Sequence, residues 1–313
     1  MSAQVARIHI ATRRSRLARW QTDHIAARLR AAHPGLTVEI VEVVTKGDEV
    51  RDRALSAIGE RGLFTRELER VLLAGRADIA VHSLKDMPTE LPPGLEIGAV
   101  TKREDVRDVF IPRPDAVART IDELPPGSVI ATGSLRRRAQ IMSWSKGFEV
   151  VDLRGNLATR FSKLEKSDWA GMILARAGVV RLGLADRIGE AIDTARMMPA
   201  VGQGALGIEV RSGEPELLSM LSVLVSEATT CSTTAERAFL GKLEGGCKVP
   251  IGAYGRIESD TLHLDGLVAS LDGKHVYRGK VSGEPGAAAL LGVRLAETLL
   301  RSGAGKALEG IRR

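Results

Sequence analysis

Apolar and polar side chains alternate along RIHIAT (7–12), a period of two that predicts a strand. Leu17, Trp20, Ile25 and Leu29 then recur at helical spacing, which predicts a helix stopped at Pro34-Gly35. Alternation returns in LTVEIVEVVT (36–45), a second strand. TRELERVLLAGRADIAVHS predicts a helix, a stop at Gly75 and a short apolar strand, and LEIGAVT (95–101) adds another strand. A second series begins after the charged stretch KREDVRD. It runs from strand SVIATGS (128–134) to helix LRRRAQIMSW, then strand FEVVDLR and strand WAGMILA (169–175). Strands alternating with helices predict βαβ units and a largely parallel sheet. IEVRSGEP reads as the edge and exit of a sheet.

From Ser226 the pattern changes. EATTCSTTAERAFLGKLEGG predicts a helix stopped by two glycines. IGAYGRI, TLHLDGLVAS and KHVYRGKVSG alternate as antiparallel strands, with Asp-Gly turn signals at 265–266 and 272–273. AAALLGVRLAETLLRSG closes the chain as a helix. The expected fold is α/β: two doubly wound domains of the periplasmic-binding-protein kind plus a small α+β C-terminal domain. The expected boundaries are 1–102 with a return segment 202–222, then 106–198, then 226–313. Hinges are expected near 103–105 and 199–201, where the chain crosses between the first two domains.

A chain of 313 residues with 44% hydrophobic residues can bury several cores. No apolar run reaches about 18 residues, so no membrane span is expected, and the N-terminus lacks the apolar stretch of a secretory signal. Two cysteines, Cys231 and Cys247, make a disulfide scaffold improbable and point to a reducing cytoplasm. The net charge of +6 favours an anionic partner. Aromatics amount to 3%, which gives nucleic-acid bases little to stack on, so a small polyanion is the better candidate.

The candidate chemistry sits at strand ends. Arg13, Arg14, Ser15 and Arg16 follow the first strand. Lys85 and Asp86 follow ADIAVHS. Ser134, Arg136 and Arg137 follow SVIATG, and Arg154 follows FEVVDL, with Arg160 one to two turns on. Ligands of doubly wound sheets bind outside the carboxyl ends of the strands, and the guanidinium fork suits carboxylates. Ser15 and Ser134 are candidate helix N-caps, and helix N-termini attract anions. Asp86, a carboxylate in this basic set, either neutralises Lys85, stabilises positive charge on a substrate, or moves a proton. GQGALG (202–207) matches G-x-G-x-x-G but leads into a strand, so it reads as an interdomain joint and not a dinucleotide site. His82 reads as a satisfied structural histidine. The six histidines and two cysteines show no metal-ligand spacing. Cys247 follows Gly245-Gly246 and precedes Pro250, where neither helix nor strand continues. That leaves a thiol on an accessible loop, suited to carrying a covalent group.

The motifs ATRRSRLARWQ, TKGD, GLFTRELE, ADIAVHSLKDMPT, TGSLRRRAQ, LRGNLATRFSKL, AGVVRLGL, PAVGQGALGIE, TAERAFL and LEGGCKVPIG occur in this order. Over essentially its whole length the chain resembles the porphobilinogen deaminase (hydroxymethylbilane synthase) family. The resemblance implies a monomeric transferase that joins four porphobilinogen molecules head to tail, releases ammonia at each step, and frees hydroxymethylbilane by hydrolysis. It implies a dipyrromethane cofactor bound covalently through Cys247 and a catalytic role for Asp86. Lys85, Ser134, Arg136, Arg137, Arg154 and Arg160 match cofactor-binding positions. Arg13, Ser15, Arg154, Arg160 and Arg181 match positions that bind substrate carboxylates. Gln21 and Phe64 match supporting positions, and 45–62 matches a mobile segment over the site. The implied partners are porphobilinogen and the growing polypyrrole, with handover to uroporphyrinogen-III synthase and no nucleic acid, membrane or metal. Gly133 stands where the family often has a serine and Val180 where it often has a lysine. Two other classes remain: a non-catalytic anion-binding module of two-lobed architecture, and a basic nucleic-acid-binding protein.

Overall fold

The computed structural model describes residues 7–45, 65–144, 146–243 and 249–309. The expectations for Cys247, Phe64 and residues 46–62 lie outside the described residues.

Three sheets organise the chain. The first contains β1 (Arg7–Arg13), β2 (Thr37–Val43), β3 (Ile79–Ser83), β4 (Leu95–Val100) and β10 (Leu206–Arg211), in the order β2-β1-β3-β10-β4. β1 runs parallel to β2 and β3, while β10 lies antiparallel between β3 and β4. IEVRSGEP therefore contributes an interior strand and not a sheet edge. Leu206, Ile208 and Val210 point into one core while the sheet's other face is covered separately. Ile8, Ile10, Ile79 and Val81 share the core of β10 with Ile25 and Leu29 of α1 (Arg16–Ala32). Ala11 and Ala80 face Leu68 and Leu72 of α2 (Arg66–Leu73).

The second sheet takes β5 (Asp108–Pro112), β6 (Val129–Ala131), β7 (Glu149–Val151), β8 (Gly171–Ala175) and β9 (Glu190–Ala191) in the order β7-β6-β8-β5-β9. β6 is parallel to β7 and β8, and β5 is antiparallel to β8 and β9. Each sheet is thus mixed where the pattern predicts a largely parallel one. β5 is a strand that the pattern misses. Val109 and Ile111 enter one core and Phe110 the other, so the strand is apolar on both faces and shows no alternation. Helices α3 (Leu135–Met142) and α4 (Leu157–Glu165) cover opposite faces through Ile141 and through Phe161 and Leu164. α5 (Arg176–Arg181) adds Val179.

The third sheet is an antiparallel meander of β11 (Ile251–Glu258), β12 (Thr261–Ala269) and β13 (Val276–Gly283). One face packs on α7 (Glu227–Lys242) and α8 (Ala288–Leu299), with Phe239 and Leu295 in the core, and α6 (Pro215–Leu221) belongs to the first domain's core. The other face meets Ala139 and Met198 of the second domain through Leu267 and Ala269. The first turn of the meander is at Ser259-Asp260, both at positive φ (47° and 61°), and Asp265-Gly266 lies inside β12. Gly266 is needed there for close packing: an added Cβ would lie 2.8 Å from the Phe239 ring. The Asp272-Gly273 signal does mark a turn, with Gly273 at φ 69°.

Helix α1 is rotated from the expected face. Its buried stripe is Ala18, Gln21, Thr22, Ile25, Ala26 and Leu29, whereas Trp20 is exposed and stacks on His24 at 5.1 Å. Two polar residues enter the stripe: Gln21 Nε2 donates to Ser83 Oγ at 2.8 Å, while the buried Thr22 hydroxyl has no partner among the described residues.

Candidate functional site

Serines set the entry of two helices where they leave the sheets. Ser15 Oγ accepts from Ala18 N at 3.2 Å, capping α1, and Ser134 Oγ accepts from Arg137 N at 3.4 Å, capping α3. Both caps fall at carboxyl ends of parallel strands, β1 and β6. The register of β1 and β3, with Ile10 opposite Ile79, brings Arg13 and Ser15 out beside His82–Asp86 at one sheet end. The register of β6 with β7 and β8 does the same for Ser134, Arg154 and Arg176.

Asp108, at the start of β5, is the centre of the charged group and is fully buried. Its Oδ2 accepts from Arg136 at 2.7 Å, and its Oδ1 from Arg137 and from Gln203 Nε2, both at 2.9 Å. Arg136 also donates to Met198 O and Arg137 to Ile173 O. Both arginines are buried, and the Nε of each has no partner among the described residues. Burial opposes ionisation of Asp108, but the two guanidiniums outweigh it and hold the carboxyl well below the usual carboxylate range. Burial likewise pulls Arg136 down, with Asp108 opposing.

Lys85 follows β3 in a single 3-10 turn, Leu84–Asp86, and reaches Gln203 Oε1 at 3.4 Å. Burial lowers its pKa to about 8; Asp86 and Asp108 favour the ammonium and Arg137 and Arg136 oppose it. Asp86 is exposed at the end of that turn. Arg160 lies in the fields of Arg137, Arg154, Asp86 and Asp152, and burial brings it down to about 10. Its Nε donates to Gly155 O at 2.8 Å, while Arg154 Nε pairs with Asp152 at 2.7 Å. Lys85, Arg136, Arg137, Arg154 and Arg160 thus form one field with Asp86, Asp108 and Asp152, in which cations outnumber carboxylates. Such a set accepts further carboxylates, and the unpartnered Nε atoms of Arg136 and Arg137 retain donors for them.

The other expected residues are placed differently. Arg181 donates to Gly204 O at 2.7 Å and covers the Trp20 ring at 5.8 Å, linking α5 to α1 and to the interdomain crossing. No direct bond joins it to the Lys85–Arg137 group among the described residues. Arg14 and Arg19 both meet Glu42 at the surface. His82 Nε2 lies 3.0 Å from the buried Glu209 carboxylate, a structural pairing. At Gly133, an added Cβ would collide with Leu153 O, so the missing hydroxyl accompanies a close approach of the β6 and β7 ends.

The pattern of residues does not disclose Asp108, Gln203, Arg103 or Glu236. Arg103 pairs with the fully buried Glu236 of α7 at 2.6 and 3.1 Å, and the same carboxylate accepts from Gly202 N and Gly255 N, each at 2.7 Å. The one available signal was a lone acid opening the apolar run VFIP and a glutamine between two glycines. Among the described residues, no helix is long and apolar enough to cross a membrane, and no group of three His, Cys, Asp or Glu could hold a metal ion.

Comparison with known proteins adds independent findings. A family model described as "Porphobilinogen deaminase, dipyromethane cofactor binding domain" matches residues 8–219, and "Porphobilinogen deaminase, C-terminal domain" matches 230–301. The porphobilinogen deaminase of Synechococcus sp. (strain CC9605) is 49% identical over 304 residues, covering 97% of this chain and 96% of its own. That of Pelotomaculum thermopropionicum is 47% identical over 305 residues, covering 97% of each chain. Among solved structures, the methionine-binding protein MetQ overlaps 74% of this chain and 94% of its own, at 14% identity and TM-score 0.45.

Proposed function

The chain belongs to the porphobilinogen deaminase family, and from that premise we propose that it is a transferase that condenses four porphobilinogen molecules head to tail. Each condensation releases ammonia, and hydrolysis frees hydroxymethylbilane for haem and chlorophyll biosynthesis. The observation that carries the reading is the field of five cations around Asp86 and Asp108, because porphobilinogen bears an acetate and a propionate and its oligomers are polyanions.

The donor set fits a dipyrromethane cofactor, since the free Nε atoms of the buried Arg136 and Arg137 and the Arg160 guanidinium supply directed donors for carboxylates. Lys85, Ser134, Arg136, Arg137, Arg154 and Arg160 hold it, and Cys247 carries it through a thioether. When bound, dipyrromethane supplies the pyrrole carbon to which the first substrate is joined. Arg13, Ser15, Arg154, Arg160 and Arg181 hold the substrate carboxylates. Asp86, exposed beside this set, stabilises the positive charge that the substrate develops as ammonia departs, and takes up the proton released on joining. The protein works in the cytoplasm as a monomer and hands its product to uroporphyrinogen-III synthase. The division into 1–102 with 202–222, 106–198 and 226–313 is part of the same proposal. The membership of β10 in the first sheet supports it.

The test is the intact mass of the purified, denatured chain. An excess equal to two linked pyrroles, absent from Cys247→Ser, is the expected result. A bare mass that incubation with porphobilinogen leaves unchanged overturns the reading in favour of an anion-binding module. Asp86→Ala is expected to keep the added mass while turning over orders of magnitude more slowly.

A further inference from the structure

Gln203 lies in the second of two chain segments that cross between the α/β domains, and it is 1% exposed. Its backbone is held from both sides. Gly202 N donates to Glu236, Gln203 O accepts from Arg103 Nε at 2.7 Å, and Gly204 O accepts from Glu104 N at 3.2 Å. Gly202 and Gly204 take positive φ (71° and 93°), and Cβ atoms there would press on Lys85 N at 3.2 Å and Glu104 O at 2.5 Å. The glutamine side chain is thereby delivered to one place. Its Nε2 donates to Val106 O at 2.7 Å and to Asp108 Oδ1 at 2.9 Å, and its Oε1 accepts from Lys85 Nζ at 3.4 Å. A primary amide serves all three partners without adding charge: its two N–H groups donate to a carbonyl and a carboxylate, and its oxygen accepts from an ammonium. A carboxylate here would face Asp108 without a proton to donate, and an apolar side chain would satisfy neither group.

We propose that Gln203 is a positioning residue that fixes the Lys85 ammonium beside the Asp108–Arg136–Arg137 group, and so presents Lys85 to the carboxylates bound there. The proposal rests on the reading of Lys85 as a carboxylate holder. The charged groups facing Lys85 among the described residues include Asp86, Asp108, Arg136 and Arg137. Two of them favour the ammonium and two oppose it, and the amide oxygen adds an acceptor that favours it. Its removal leaves burial opposed by less, and Lys85 loses its proton at lower pH.

The experiment uses the full-length holoenzyme. Lys85 is pulse-labelled with acetic anhydride across a pH series and read by peptide mass spectrometry, in parallel with the pH profile of kcat/KM for porphobilinogen. Wild type should label with a midpoint near 8. Gln203→Leu should lower the midpoint by about one pH unit, about a tenfold change in the proton equilibrium, as expected for loss of a hydrogen bond to a charged group. The alkaline limb of kcat/KM should move with it. In a Lys85→Arg background, where the cation does not titrate, Gln203→Leu should leave the limb where it is. Should Gln203→Leu not fold, Gln203→Asn keeps the amide on a shorter stem and should give the same shift in labelling. An unchanged labelling midpoint in a folded variant overturns the proposal. A shifted midpoint in a protein without deaminase activity supports the positioning role and refutes the proposed reaction instead.

Discussion

Replacing Asp108 by asparagine removes one negative charge and almost no volume. The carboxylate is fully buried and bonds Arg136 at 2.7 Å and Arg137 at 2.9 Å, both of them buried. At such separations each pair attracts by about 6 kcal/mol if the effective dielectric constant is roughly 20. The variant leaves two guanidiniums out of water with no counter-charge. Breaking one partner of a buried ion pair costs about 3–5 kcal/mol. Two arginines share this carboxylate, so a loss at the upper end, about 5 kcal/mol, is expected. The assay is equilibrium urea unfolding of the full-length protein, compared with wild type at several pH values. The sign of the pH dependence follows from the lowered carboxyl pKa. The contribution of Asp108 is fully present above the unfolded value, near 3.8, and is lost as pH falls toward the folded one. The gap between Asp108→Asn and wild type should therefore stay constant between about pH 5 and 8 and shrink only below about pH 4. A gap under about 1 kcal/mol at pH 7 would refute the reasoning, since only a solvated pair is worth so little. A gap that vanishes between about pH 5 and 7 would refute it equally, because another group would be titrating.

A double-mutant cycle of Arg103→Met and Glu236→Gln should return a coupling of about 3 kcal/mol in urea unfolding, since the pair is bidentate and buried; additive effects would mean that the two do not act together. Gly204→Ala should cost about 1–3 kcal/mol, because φ is 93° and the new Cβ would meet Glu104 O. Gly127→Ala, at φ 76° in open space, isolates the conformational part and should cost less, about 1 kcal/mol; equal losses at the two positions would remove the steric argument.

Much of the fold is legible because alternation reports which faces are covered. It predicts the strands of the meander and most of those in the two larger sheets. It fails where both faces are buried, as in β5, whose Val109, Phe110 and Ile111 form an unbroken apolar run. It also says nothing of neighbours, so β10 reads as an exit although it sits between β3 and β4. The Asp265-Gly266 pair misleads as a turn because Asp265 has charged partners on both flanking strands, Arg256 and Lys280. The cations of the site are legible from their place after strands, and Ser15 and Ser134 from their place before helices. Their counter-charges are not. Asp108 lies 28 residues from Arg136 and 95 from Gln203, and only the folded chain brings them to one point.

The two crossings between the α/β domains lie against each other, with Thr101 N bonded to Leu206 O at 3.0 Å and Glu104 N to Gly204 O at 3.2 Å. A single connecting thread would let one half swivel freely about the other. Two plies bonded edge to edge bend together but resist torsion. Glu236 then rivets both plies, through Arg103 and Gly202, to the helix of the third domain. Such a joint is fastened at more than one point, so the loss of any single bond leaves the crossing tethered.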